Sequence, residues 1–247
     1  MIKGLLVSGM FLLVFAPTDT ASVIASGDEA FFRIDYSTAA QLYESALEQS
    51  PKQPEILWRL ARVYVCMGEV AEESQQQDLY RNAVLYSRRC IQADSTRADG
   101  HTWLAGALGY IALNEATKNQ LDLMREMMSE LDRALTLNPN DDIAYSIKGS
   151  MYRALGNVGW LQRQLAALLF GGIPPGGYDD AEVALKQAIL LAPDVMRHHY
   201  ELGVLYMDWN RGAEAKKVLE FARTLPVRVA IDRKRLMKID ELLAQLE

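Results

Sequence analysis

The sequence predicts an all-α fold, an α-solenoid of stacked helical hairpins with irregular insertions and a C-terminal capping helix. Three observations predict it. Helical periodicity runs from Asp35 onward, without the apolar–polar alternation of strands. Clusters of Gly, Pro and Asn fall between the helical stretches. The spacing inside those stretches also recurs. Ala39, Tyr43, Ala46 and Pro51 stand at offsets 0, 4, 7 and 12, and Met127, Leu131, Ala134, Pro139 and Ala181, Leu185, Ala188, Pro193 repeat them. Ala83, Ser87, Cys90 and Ser95 keep the spacing with weaker residues, and Ala215, Leu219, Ala222 give a last copy with Pro226 one place early.

Taken in order, the chain opens on Lys3, an apolar run Gly4–Ala16 and Pro17. That run is shorter than the roughly 20 residues of a comfortable membrane span. Its layout is that of a secretory signal peptide, residues 1–26, with cleavage expected near Ala25 or Ser26. An uncleaved N-terminal membrane anchor is the alternative. Removing 1–26 takes away Lys3 and Asp19 and leaves the net charge unchanged. The rest, 27–247, reads as one repeat domain.

Each copy of the first pattern is followed by a second. Leu57, Leu60, Ala61, Tyr64 form one instance, and His101, Leu104, Ala105, Leu108 form another. Tyr145, Lys148, Gly149, Tyr152 and His199, Leu202, Gly203, Tyr206 complete the set. A small residue (Ala61, Ala105, Gly149, Gly203) admits a neighbouring helix, and the large residue one turn on fills the adjacent hole. Gly68 and Gly156 are expected to make turns after these helices. A proline, or Ser95 in its place, ends each hairpin. The marks Pro51, Ser95, Pro139, Pro193 and Pro226 lie 44, 44, 54 and 33 residues apart. Three insertions follow, near Glu72–Tyr80, Thr117–Met128 and Val158–Tyr178. The stripe Leu236, Ile239, Leu242, Leu243, Leu246 predicts an amphipathic closing helix over Ala230–Leu246, its polar side capping the stack.

These residues and spacings resemble the tetratricopeptide repeat, a helix-turn-helix unit of 34 residues. The resemblance implies a right-handed superhelix whose concave face binds partners. A closer one rests on Gly159-Trp-Leu-Gln-Arg-Gln-Leu-Ala-Ala-Leu-Leu-Phe-Gly-Gly-Ile-Pro-Pro175, on Tyr178–Leu185 and on Thr224-Leu-Pro-Val-Arg-Val-Ala-Ile-Asp232. Together with His101-Thr-Trp103, these look like the regulator of microtubule dynamics family of helical-repeat adaptors, over roughly residues 36–247. The leader suggests a bacterial-type exported relative. A fold-level resemblance to the periplasmic T-component of TRAP transporters carries no specific motif.

Composition narrows the function. The 247 residues are 50% hydrophobic, enough for a sizeable core. The net charge of -6 argues against a nucleic-acid binder. With 3 His and 2 Cys there is no disulfide scaffold and no zinc spacing; no metal or cofactor is implied. Cys66 and Cys90 would be in an oxidising space if the chain is exported, which leaves open whether they pair. Asp141-Asp142 and Asp179-Asp180 precede helices, where Asp caps free N–H groups. Nucleophile-elbow, zincin and phosphate-loop motifs are missing, so no catalytic residue is assigned and the chain reads as a non-enzyme.

The function expected is a protein-interaction scaffold of the cell envelope, exported and periplasmic. The repeat frame points Trp58, Arg59, Arg62, Thr102, Trp103, Ser146, Arg153, Arg197 and Tyr200 into the groove. Trp, Tyr and Arg are the usual interface anchors. The four arginines suit an acidic peptide or an anionic ligand. The bland alternative is that these residues are core and solvated surface. Trp160, Leu165, Leu169 and Phe170 mark an insert helix, which is a lid over the groove, a docking site or plain packing. A carrier of a small hydrophobic or lipid-like ligand, held between groove and insert helix, is the second function. Membrane contact is expected only through the N-terminal segment, if uncleaved.

Overall fold

A computed structural model describes residues 19–247. Among the described residues there are twelve helices and no strand. They are α1 (Thr20–Phe32), α2 (Tyr36–Gln49), α3 (Pro54–Val70), α4 (Glu73–Ala93), α5 (Ala98–Ala112) and α6 (Thr117–Leu137). Then come α7 (Asp142–Gly156), α8 (Trp160–Phe170), α9 (Tyr178–Leu191), α10 (Met196–Asp208), α11 (Gly212–Arg223) and α12 (Asp232–Ala244). Five hairpins stack in sequence: α1–α2, α3–α4, α5–α6, α7–α9 and α10–α11, with α12 against the last. The all-α solenoid read from the sequence is the fold observed.

Local chemistry sets the boundaries. Asp19, Asp35 and Asp141 accept backbone N–H bonds at the starts of α1, α2 and α7. Pro54 opens α3, where its missing N–H costs nothing. The repeat residues do the packing foreseen for them. Ala39, Tyr43, Ala46, Leu131, Ala134, Leu185, Ala188, Leu219 and Ala222 are all buried. A Cβ on Gly149 would overlap Leu185, and one on Gly203 would overlap Leu219. Each hairpin is therefore tight because a large residue of its second helix sits on a bare backbone of its first.

Three details differ from expectation. First, α1 is a helix the periodicity did not announce, and it runs unbroken through Ala25 and Ser26. Val23 and Ile24 pack on the first core cluster, and Gly27, Ala30 and Phe31 are buried. A cut at Ala25 or Ser26 would fall within this helix; the apolar run Gly4–Ala16 lies outside the described residues. Second, Gly68 and Gly156 make no turn. Both lie inside helices, under the rings of Tyr80 and Tyr178, so close approach is what requires them. Third, α12 starts at Asp232, and its Asp232 and Arg235 are buried instead of solvated. The insertions fall where the repeat phase puts them: the first lengthens α4, the second lengthens α6, and the third builds α8 and the loop after it.

Candidate functional site: the inner face of the stack

The inner face is formed by the first helices of successive hairpins. Near its N-terminal end Asp28 of α1 gathers three partners: Tyr43 Oη donates at 2.6 Å, Arg59 Nε at 3.0 Å and Arg62 Nη2 at 3.2 Å. Arg59 also donates to Glu55 at 2.7 Å and lies over the Trp58 ring, 4.3 Å from its centroid. Trp58 Nε1 donates to the same Glu55 at 3.0 Å. Arg62 covers Phe31 at 3.7 Å. Arg59 and its neighbours hold the Asp28 carboxyl below the usual range against the opposing effect of burial.

At the centre stands a buried carboxylate, Glu69 of α3. Tyr110 Oη of α5 donates to it at 2.5 Å, and Arg197 of α10 and Arg235 of α12 approach at 3.8 and 3.6 Å. Tyr80 stacks flat on Tyr110, with centroids 4.6 Å apart. Burial, together with Glu69, pushes the Tyr110 phenol well above its ordinary range, so it stays a donor. Arg235 is paired in turn with Asp232 at 2.8 Å, and the other oxygen of Asp232 accepts the backbone N–H groups of Arg228 and Val229. This C-terminal segment crosses back to the start of the stack. The N–H of Ala230 donates to Tyr36 Oη of α2 at 2.9 Å, Ala230 packs on the first core cluster, and Lys234 reaches the Glu69 carbonyl at 3.4 Å.

The structure sorts the predicted groove residues into three kinds. Thr102 and Ser146 are buried and do not face a partner. Thr102 Oγ1 bonds Asp141 at 2.6 Å, and Ser146 Oγ has no partner among the described residues. Their positions in the repeat face the adjoining hairpin more than the open side. Trp58, Trp103 and Tyr200 are half-buried and packed; Trp103 lies on Val65, Ala83 and Ala107, and Tyr200 on the Met196–Leu219 cluster. The four arginines each have a carboxylate: Asp28 for Arg59 and Arg62, Asp208 at 2.8 Å for Arg153, Glu69 for Arg197. The local cationic excess expected there is neutralised inside the fold, and with it goes the ground for an acidic partner.

What remains open is a cleft of about 280 Å³ between α5, α6, α7 and α10. Met124, Met127, Ile147 and Met151 make its apolar wall, Leu113 and Ala154 stand at it, and Tyr110, Arg153, Arg197 and Glu201 are its polar end. Arg153 and Arg197 each keep a buried Nε–H with no acceptor among the described residues. Sequence reasoning missed Glu69, Tyr110 and Arg235; the one available signal was an acidic residue closing the uncharged stretch 63–68 of α3.

The insert helix α8 lies apart from this cleft's lining and exposes Trp160, Leu165 and Leu169, with Phe170 half-buried. His198 and His199 act separately. The first bonds Asp142 at 2.9 Å, and the second donates to the Pro193 carbonyl at 2.7 Å. Asp141 caps α7, and Asp179 and Asp180 sit in the first turn of α9. Cys66 and Cys90 are free buried thiols.

Comparison with known proteins places the chain. The family model for regulator of microtubule dynamics protein 1-3 matches residues 23–247. Human regulator of microtubule dynamics protein 2 is 26% identical over 213 residues, 85% of this chain and 52% of that protein. The Xenopus laevis protein 3 is 27% identical over 76% of this chain and 41% of its own length. The mouse protein 1 is 22% identical over 90% and 73%. The chain thus spans about half the length of the protein 2 and 3 relatives. Among solved structures, a thermophilic tetratricopeptide-repeat protein of Thermus thermophilus superimposes with a TM-score of 0.69, covering 92% of this chain and all of that one, at 22% identity. The shared fold is the tetratricopeptide solenoid.

Proposed function

The chain belongs to the regulator of microtubule dynamics protein 1-3 family, and on that premise we propose that it is a non-catalytic interaction scaffold that binds a protein or peptide partner on its concave face. The observation that carries this reading is the cleft between α5, α6, α7 and α10. It is methionine-rich, and such walls adapt to varied side chains. It lies where three successive first helices meet, which suits an apolar side chain or short helix of a partner. The relatives are named for microtubule dynamics. The chain covers about half of the protein 2 and 3 relatives, so the reading carried over is partner binding by the repeat. The leader of Lys3 and the apolar run 4–16 supports export, with the partner in the cell envelope.

The test uses Leu113→Arg with Ala154→Arg, two exposed residues at the cleft. Crosslinking from periplasm should recover a partner with the wild type and lose it with this variant at unchanged melting temperature. A partner held equally by both would end the reading. Sequencing the mature N-terminus and fractionating the cell test export.

The two unpartnered Nε–H groups favour a second reading, a carrier of a small hydrophobic ligand whose polar end accepts from Arg153 and Arg197. The cleft's volume sits at the lower edge of ligand pockets, roughly 300–1,000 Å³, so the ligand would be short. Native mass spectrometry decides it. A bound mass that Ile147→Trp expels supports the carrier, and a clean chain mass in every preparation removes it.

A further inference from the structure

We propose that α8 is a membrane-surface contact whose outward leucine stripe inserts into the interface of an electroneutral, zwitterionic lipid layer. The proposal depends on neither reading above. Leu161, Leu165 and Leu168 stand at i, i+4 and i+7 on one face, exposed by 62, 49 and 81%. Trp160 and Leu169 flank it at 74 and 64%. The opposite side is occupied by buried Ala166 and by Arg163, whose guanidinium is spent on the carbonyls of Leu155 and Val158. The helix is held in place at its far end, where Arg125 of α6 donates to the carbonyls of Phe170 at 2.8 Å and Gly172 at 2.7 Å. Gly171, at φ 75°, turns the chain away. A fixed helix therefore presents to water an uncharged, largely apolar face in which Gln164, between Trp160 and Leu168 around the helix, is the one polar side chain.

Charge and area choose the occupant. No Asp or Glu occurs from Ile143 to Tyr178, although the chain has 32. The cations of α7 are taken: Lys148 pairs with Asp132, and Arg153 with Asp208. On α8 Arg163 keeps one charge that no carboxylate meets, so this edge lies within about one unit charge of neutral, while the whole chain at -6 is repelled by an anionic surface. A second copy is a poor fit. The 11-residue helix is about 16 Å long, and a single stripe of that length falls well short of the roughly 800 Å² per partner of a stable interface. A lipid interface needs no complementary surface, and an indole at the helix start matches the headgroup level.

The experiment is flotation of the full chain with phosphatidylcholine vesicles. Binding should appear at millimolar lipid, persist in about 0.5 M salt, and fall about tenfold or more in Leu161→Ser with Leu168→Ser at unchanged melting temperature. Trp160 fluorescence should shift to the blue on binding, a signal that Trp160→Phe removes. Four results overturn the proposal. They are no flotation; flotation that the double variant leaves intact; binding that needs anionic lipid and is lost in salt; and a wild-type dimer that the double variant dissolves, which gives the stripe to a second copy. The cleft variant Leu113→Arg with Ala154→Arg should float like the wild type, so failure here is distinct from failure of the partner reading.

Discussion

The Glu69 cluster and helix α8 invert each other. At Glu69, groups that ordinarily stay in water are withdrawn from it: a carboxylate of α3 and a guanidinium of α12 are buried, and a guanidinium of α10 and a phenol of α5 are mostly so. On α8, groups that ordinarily leave water remain in it. Burial at Glu69 is possible because every charge there meets a partner from another helix. Exposure on α8 persists because no other helix among the described residues covers its leucines. Residue type sets the cost of a location, and the neighbours set whether that cost is met.

The comparison is broken most directly at Glu69. Glu69→Ala takes the acceptor from the Tyr110 phenol and the counter-charge from Arg197, leaves Arg235 with Asp232 alone, and should cost about 3–5 kcal/mol in urea unfolding. A loss below about 1 kcal/mol would mean that the cluster is wet. Tyr36→Phe removes only the acceptor for the Ala230 N–H; it should cost about 1 kcal/mol, with faster amide exchange at 228–232 as the local signature. Leu168→Ser on α8 should change stability by less than about 0.5 kcal/mol, because that side chain contributes little folded contact. A larger loss would show that α8 is covered in solution.

Two further measurements sharpen the contrast without substitution. Glu182 lies outside the central cluster, bonded by Arg211, Lys186 and Tyr206, with Arg211 the chief cause of a pKa lowered to about 2. Its folded value is below its unfolded one, so its stabilisation is complete above about pH 4.5 and is lost as pH falls towards 2. A carboxyl titration followed by NMR should place its midpoint there. Burial pushes the thiols of Cys66 and Cys90 up to about 12. Both should resist a thiol reagent at pH 8 and react once urea unfolds the chain.

The repeats were legible because their signal is local. A small residue and a large one at fixed helical spacing state which face packs, as Gly149 under Leu185 and Gly203 under Leu219 bear out. The groove was less legible. Repeat phase alone does not separate a residue facing the open side from one facing the next hairpin, and Thr102 and Ser146 took the second fate. Nor does phase show charge pairing across helices, which neutralised Arg59, Arg62, Arg153 and Arg197. The placement of α8 depended on which side of an apolar helix finds a neighbour. The return of the C-terminal segment to Tyr36 joins residues far apart in sequence, and no local pattern encodes it.

That return changes the mechanics of the molecule. An open array of repeats behaves as a spring with two free ends, each able to fray and each indifferent to the other. Here the Tyr36–Ala230 contact fastens the last turn of the coil to the first. The two ends share one fate. Shortening the chain at its C-terminus would loosen its N-terminal helices, and the array should melt as one unit where an unclasped one would peel.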